Sequence, residues 1–211
     1  MHKKVLILSP HTDDAELGAG GTIARFLEEG SDLYIAVFST CEDSLPVGSP
    51  INSLLEEFYN AYDFIGISRN NLKVYNYPVR RLSEYRQEVL EILVRLKSEI
   101  TPDLVILPSG YDLHQDHQVI HMEGVRAFLK SSSIWGYELP WNHKQFSPMQ
   151  FIKLYEKHVE LKIKMLSFYK TQFDLKRSYF SQDFIKGLAR VRGVQASCEY
   201  SEAFEVIRQN Y

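Results

Sequence analysis

Cysteine is nearly missing from this chain, with Cys41 and Cys198 the only two in 211 residues. They stand far apart and share no ligand-type spacing, which argues against a disulfide scaffold and a thiolate metal site. Two reduced thiols in a cytosolic protein is the expectation. Long apolar runs are missing too. No stretch approaches the roughly 18 residues a membrane helix requires. The opening M-H-K-K-V-L-I-L-S-P carries too short an apolar run for a secretory signal. A cytoplasmic location with no membrane partner follows as the expectation. Nor is there an excess of positive charge. The formal net charge is -3, which provides no global field for nucleic acid; Arg190 and Arg192 make one local basic spot. Repeats, low-complexity tracts and an interdomain linker are also lacking, so residues 1–211 read as one domain.

What is present has the rhythm of an α/β protein. Val5 to Leu8 is a continuous apolar run, as suits a strand covered on both faces of a parallel sheet. Gly18, Gly20 and Gly21 follow, then a helix from Thr22 closed by Gly30, then a strand over Leu33 to Phe38. That order is the βαβ signature, with a right-handed crossover. Helices are expected over Ser53–Phe64, Ser83–Ile100, Val119–Lys130, Phe151–Tyr169 and Phe180–Arg190, from apolar residues at helical spacing. Strands are expected over Leu72–Tyr77, Leu104–Leu107 and Ile134–Glu138. The segment L-P-W-N-H-K-Q-F-S-P-M-Q, with two prolines, reads as a loop or edge element.

Two polar loops fall where strands end: S-P-H-T-D-D-A-E after the first, and P-S-G-Y-D-L-H-Q-D-H after Leu107. In open parallel sheets ligands collect at that edge. Clustered acids and imidazoles there would be costly without a cation. His11, Asp14 and His117 supply the three protein ligands of a catalytic zinc, with one position left for water. The spacing leaves His114 or His121 open as replacements for His117. Asp13 is a candidate general base, and His114 a partner for an oxyanion or a leaving amine. Asp116 and Glu16 are candidates to hold a ligand histidine's second nitrogen; Glu16 could instead cap the following helix. The glycines do not fit a dinucleotide fingerprint, and they point instead to tight turning and close helix approach.

Around this centre, Arg80 or Arg81, Trp141, Asn142 and His143 are candidates to line a sugar pocket, and Arg192 could meet a carboxylate or phosphate. The many aromatic residues belong to the core or to a subunit interface, which leaves a homo-oligomer open.

The stretch H-T-D-D-A-E-L-G-A-G-G-T-I closely resembles the opening motif of the LmbE-like, or PIG-L, N-deacetylases, typically H-P-D-D-x-E. Y-D-L-H-Q-D-H, K-x-x-M-L-x-x-Y-K-T-Q (Lys162 to Gln172) and Y-S-E-A-F (Tyr200 to Phe204) extend the resemblance in order over most of the chain. The resemblance implies a Rossmann-like three-layer sandwich with a mostly parallel central sheet. It implies hydrolysis of the acetamide of an N-acetylated amino sugar, such as a glucosaminyl conjugate or glycan precursor, with release of acetate. It further implies zinc on His11, Asp14 and His117, with Asp13 as base and His114 at the oxyanion or leaving group. Fe2+ would accept the same ligands. Thr12 stands where the family usually has proline, which would stiffen the turn. An inactive carbohydrate-binding protein on the same scaffold, or a metal-dependent hydrolase of another bond, are the competing readings.

Overall fold

The computed structural model describes residues 2–210. Seven strands form one sheet: β1 (Lys4–Ser9), β2 (Asp32–Val37), β3 (Leu72–Val74), β4 (Leu104–Pro108), β5 (Ser133–Tyr137), β6 (Gln150–Leu154) and β7 (Tyr200–Arg208). Their order is β3-β2-β1-β4-β5-β7-β6. The first five run parallel, while β7 is antiparallel to both of its neighbours. The architecture is therefore an α/β sandwich around a mostly parallel sheet.

Strand β1 shows why two helical layers are required. Its side chains alternate across the sheet: Val5 and Ile7 join one apolar cluster, Leu6 and Leu8 the other, as a period of two demands. Helices α1 (Asp14–Glu28), α2 (Ser53–Phe64), α5 (Glu156–Leu166) and α7 (Gln182–Gln195) feed the first cluster; α3 (Arg86–Ile100) and α4 (Gln115–Phe128) feed the second. A short α6 (Lys170–Asp174) follows α5.

Three expectations need correction. Helix α1 starts at Asp14, not Thr22, so the glycines lie inside it. The backbone breaks at Ala19 (φ -141°), and the amides of Gly21 and Thr22 donate to the Glu202 carboxylate at 2.9 and 2.6 Å. Close approach explains the glycines: a Cβ on Gly18 would stand 2.4 Å from the Tyr137 ring, and one on Gly21 2.5 Å from Leu154. The helix expected over Phe151–Tyr169 is β6, then α5, then the turn that leads into α6. Ile152 and Leu154 are buried on alternate positions and pair with β7, so tertiary pairing overrides the helical pattern. Strand β7 has no counterpart in the sequence reading because its buried Ser201, Glu202 and Glu205 disguise it as polar. At two further boundaries, α4 begins at Gln115 rather than Val119, and a 3-10 turn at Leu82–Tyr85 precedes α3.

Candidate metal centre

Strands β1 and β4 are neighbours at the centre of the sheet, and chain connections leave them in opposite directions along the strand order. A crevice opens at such a switch point, and both polar loops fall there. Ser9 pins the first turn: its hydroxyl donates to the His11 carbonyl at 2.5 Å and accepts from the Ala15 amide at 3.0 Å. The His11 amide donates to Asp14 Oδ2 at 2.9 Å. The second loop ends at His114, which caps α4 by accepting the Asp116 amide on Nδ1 at 3.2 Å. That cap carries His117 on the first turn of the helix toward β1.

Ring nitrogens of His11, His114 and His117 lie within 4.8 Å of one another, forming a candidate site for a divalent cation. Asp14 makes a tighter triangle with two of them. His11 Nδ1 is 3.0 Å from Asp14 Oδ2, His117 Nε2 is 3.2 Å from the same oxygen, and the two nitrogens are 3.2 Å apart. Donors about 2.0–2.2 Å from a tetrahedral ion stand about 3.3–3.6 Å apart, so an ion of zinc's size needs only a slight outward shift. The outer nitrogens strengthen the case. His11 Nε2 meets Asp116 Oδ2 at 3.0 Å and His117 Nδ1 meets Asp112 Oδ2 at 2.7 Å. A proton on each outer nitrogen leaves an inward lone pair, and three acceptors then face one another. His114 is different: with Nδ1 accepting an amide, its proton belongs on Nε2, which suits a donor better than a ligand. His121 turns away, its Nδ1 at 2.8 Å from the Pro108 carbonyl.

Without an ion, protons hold this triangle together. Burial disfavours charge on His11 and His117, yet Asp14 and the outer aspartates outweigh it and raise them to about 9 and about 10. Burial, with the charges of His11 and His117, pushes His114 down to about 4. Burial and the neighbouring Asp14 raise Asp13 to about 6. The Asp13 carboxylate accepts no side-chain hydrogen bond from another residue among those described and faces the cavity.

The remaining site candidates separate cleanly. Asp116 anchors His11 and also accepts the amides of Arg80 and Leu82 at 2.6 and 3.1 Å. Glu16 touches no histidine. It is fully buried in α1, with Oε1 at 2.5 Å from the Tyr169 hydroxyl, which also reaches the Thr12 carbonyl at 2.6 Å. One hydroxyl proton cannot serve both oxygens, so this pairing is satisfied when Glu16 is neutral; burial indeed raises it to about 8. Tyr169 thus ties down the turn at Thr12, where proline was missing.

Arg80, Trp141 and Asn142 line a cavity of about 410 Å³ above the triangle. Arg81 points away and pairs with Glu84; Arg192 pairs with Glu138 behind the cavity wall. His143 stacks on Phe146, with Nε2 3.8 Å from Asp112, so it backs the site rather than lining it. Sequence reasoning passed over Asp112, although it sits inside the quoted second motif, because nothing in its spacing shows that it reaches His117. It also passed over the cavity-lining Gln172, Arg177 and Tyr179; the Tyr179 ring stacks on Trp141 at 3.9 Å and 9°.

Known proteins share this arrangement's framework. The N,N'-diacetylchitobiose deacetylase of Pyrococcus horikoshii superposes with a TM-score of 0.79 at 21% identity, covering 98% of this chain and 84% of that one. The 4-carboxy-2-hydroxymuconate hydratase GalB of Pseudomonas putida superposes with a TM-score of 0.77 at 18% identity, covering 99% and 98%. The fold therefore does not by itself dictate a reaction. In sequence, the uncharacterized deacetylase YaiS of Escherichia coli is 29% identical over 80% of this chain and 91% of its own length. The family described as PIG-L, GlcNAc-PI de-N-acetylase, matches residues 6–128, and this chain belongs to it.

Proposed function

We propose that the chain is a zinc-dependent N-deacetylase, with His11, Asp14 and His117 as ligands, that cleaves the acetamide of an amino sugar and releases acetate. The observation that carries this is the triangle of inward-facing acceptors, with Asp13 free at its edge. When bound, a divalent ion there polarises a carbonyl and lowers the pKa of water from about 15.7 toward 7. The chain's own groups do the rest. Asp13 takes a proton from the attacking water and returns it to the nitrogen as the C–N bond breaks, leaving acetate and the free amine. His114, neutral and carrying its proton on Nε2, donates to the developing oxyanion. Asp112 and Asp116 fix the tautomers of His117 and His11. Arg80, Trp141 and Asn142 hold the sugar in the cavity.

Residues 1–211 act in this reading as one domain, on a small-molecule substrate in the cytoplasm. Iron suits the same nitrogen and oxygen donors, and elemental analysis of purified protein distinguishes it from zinc. The test is acetate release from N-acetylglucosaminides, with and without chelator. Chelator-sensitive acetate supports the reading; no acetate from any of them, with zinc bound, removes it. Because a hydratase shares the scaffold, acetate itself must be measured rather than substrate loss.

A further inference from the structure

Outside the cavity the arginines are generally paired. Arg25, Arg69, Arg81, Arg86, Arg126 and Arg192 each hold a carboxylate within ion-pair distance. Arg80 and Arg177 both line the cavity, and neither holds one among the described residues. Arg177 is an exposed side chain on the cavity lining, close enough to Asp13 for the two charges to act on each other but not in ion-pair contact with it. One of its N–H groups donates to the Tyr179 hydroxyl. Tyr179 is itself fixed by stacking on Trp141, so the guanidinium is held in place with most of its donors unused. Backbone strain falls beside both arginines. Arg80 has φ 68° and Lys176, just before Arg177, has φ 53°, and such left-handed non-glycine residues concentrate where a site dictates them.

We infer that Arg177, with Arg80 also lining the cavity, binds an anionic group of the substrate, a carboxylate or phosphate attached to the acetamido sugar, and so selects acidic conjugates over neutral glycans. This rests on the deacetylase reading above and names the class of substrate for that site. A guanidinium fork matches either anion in a bidentate pair.

The test uses the zinc-loaded chain and three substrates: methyl N-acetylglucosaminide, N-acetylglucosamine 1-phosphate and an N-acetylglucosaminide of glycolic acid. At least one anionic substrate should exceed the neutral one in kcat/KM by about 10-fold, mainly through KM. Arg177→Gln should reduce that preference about 10-fold, with Arg177→Lys retaining part of it. The two anionic arms separate phosphate from carboxylate. Equal kcat/KM for all three, or an Arg177→Gln variant that lowers them in the same proportion, overturns the inference while leaving the deacetylase intact. Calorimetric binding of the same compounds runs in parallel. If no acetate appears, the deacetylase reading fails, and the anion site is judged on affinity. Tighter binding of an anionic compound that weakens in Arg177→Gln upholds it; indifference to the substitution overturns it.

Discussion

Two buried charge clusters meet α1, one at the break inside the helix and one at its N-terminus, and they differ in whether the chain completes them. At the break, the Lys162 ammonium donates to Glu202 at 2.7 Å and to the Leu17 carbonyl at 2.8 Å. The same carboxylate takes the Gly21 and Thr22 amides at the second half of the helix. Every charge there meets its partner within the fold. At the N-terminus of the helix, His11 and His117 both meet Asp14 Oδ2, with carboxylates already occupying their outer nitrogens, so that protons or a cation must hold the three together. Among the described residues no lysine or arginine closes that triangle. A complete cluster stabilises; an incomplete one calls for something that the chain does not carry.

The contrast can be broken at either end. His117→Ala removes a corner of the incomplete cluster, and kcat/KM for acetate release should fall at least about 10³-fold with loss of bound zinc; retained activity would remove His117 as a ligand. Asp13→Asn leaves the triangle whole, so kcat should drop about 10²–10⁴-fold while zinc stoichiometry by elemental analysis stays at one per chain. Lys162→Met strikes the complete cluster. It strands the Glu202 carboxylate and should lower unfolding free energy by about 3–5 kcal/mol, read by urea denaturation, with zinc affinity unmoved. Equal loss of zinc affinity in that variant would show that the two clusters are one.

Asp112→Asn sharpens the comparison further. It keeps the shape but weakens the hold on His117 Nδ1, and zinc affinity should fall about 10–100-fold. The smallest effect is on pH dependence. His11 and His117 are raised to about 9 and about 10 in the metal-free fold, against an ordinary value of about 6.5. Raised values mean that their stabilisation is full below about pH 6.5 and is lost as pH climbs through 9 and 10. In the proposed site zinc would take over the role of those protons, so the rise in Tm on adding zinc should grow with pH across that window. A constant rise would contradict the assignment.

The sequence made the first part of this legible. The apolar run at Val5–Leu8 and the two acid-and-imidazole loops identify the sheet, its active edge and the residues that meet there. Side-chain reach was not legible. Asp112 and Asp116 flank His114 in one motif, yet only the cap on α4 decides that one carboxylate serves His117 and the other His11. Glu16 looked like a partner for a histidine, but helix α1 begins early and turns it inward onto Tyr169. The last third was hidden more deeply. Buried glutamates on β7 mask a strand, and their meaning depends on Lys162 and two amides distant in the chain. Arg177 and Tyr179 carry no pattern at all and come to line the cavity only through the path of the 175–181 segment.

Calorimetric titration of chelator-treated protein with zinc, at pH 7.5 in two buffers of different ionisation enthalpy, shows whether His11, Asp14 and His117 form a metal site. The expected result is one tightly bound ion per chain, with about two protons released as His11 and His117 give up theirs to the metal. Absence of saturable uptake, or uptake with no proton release, would contradict it.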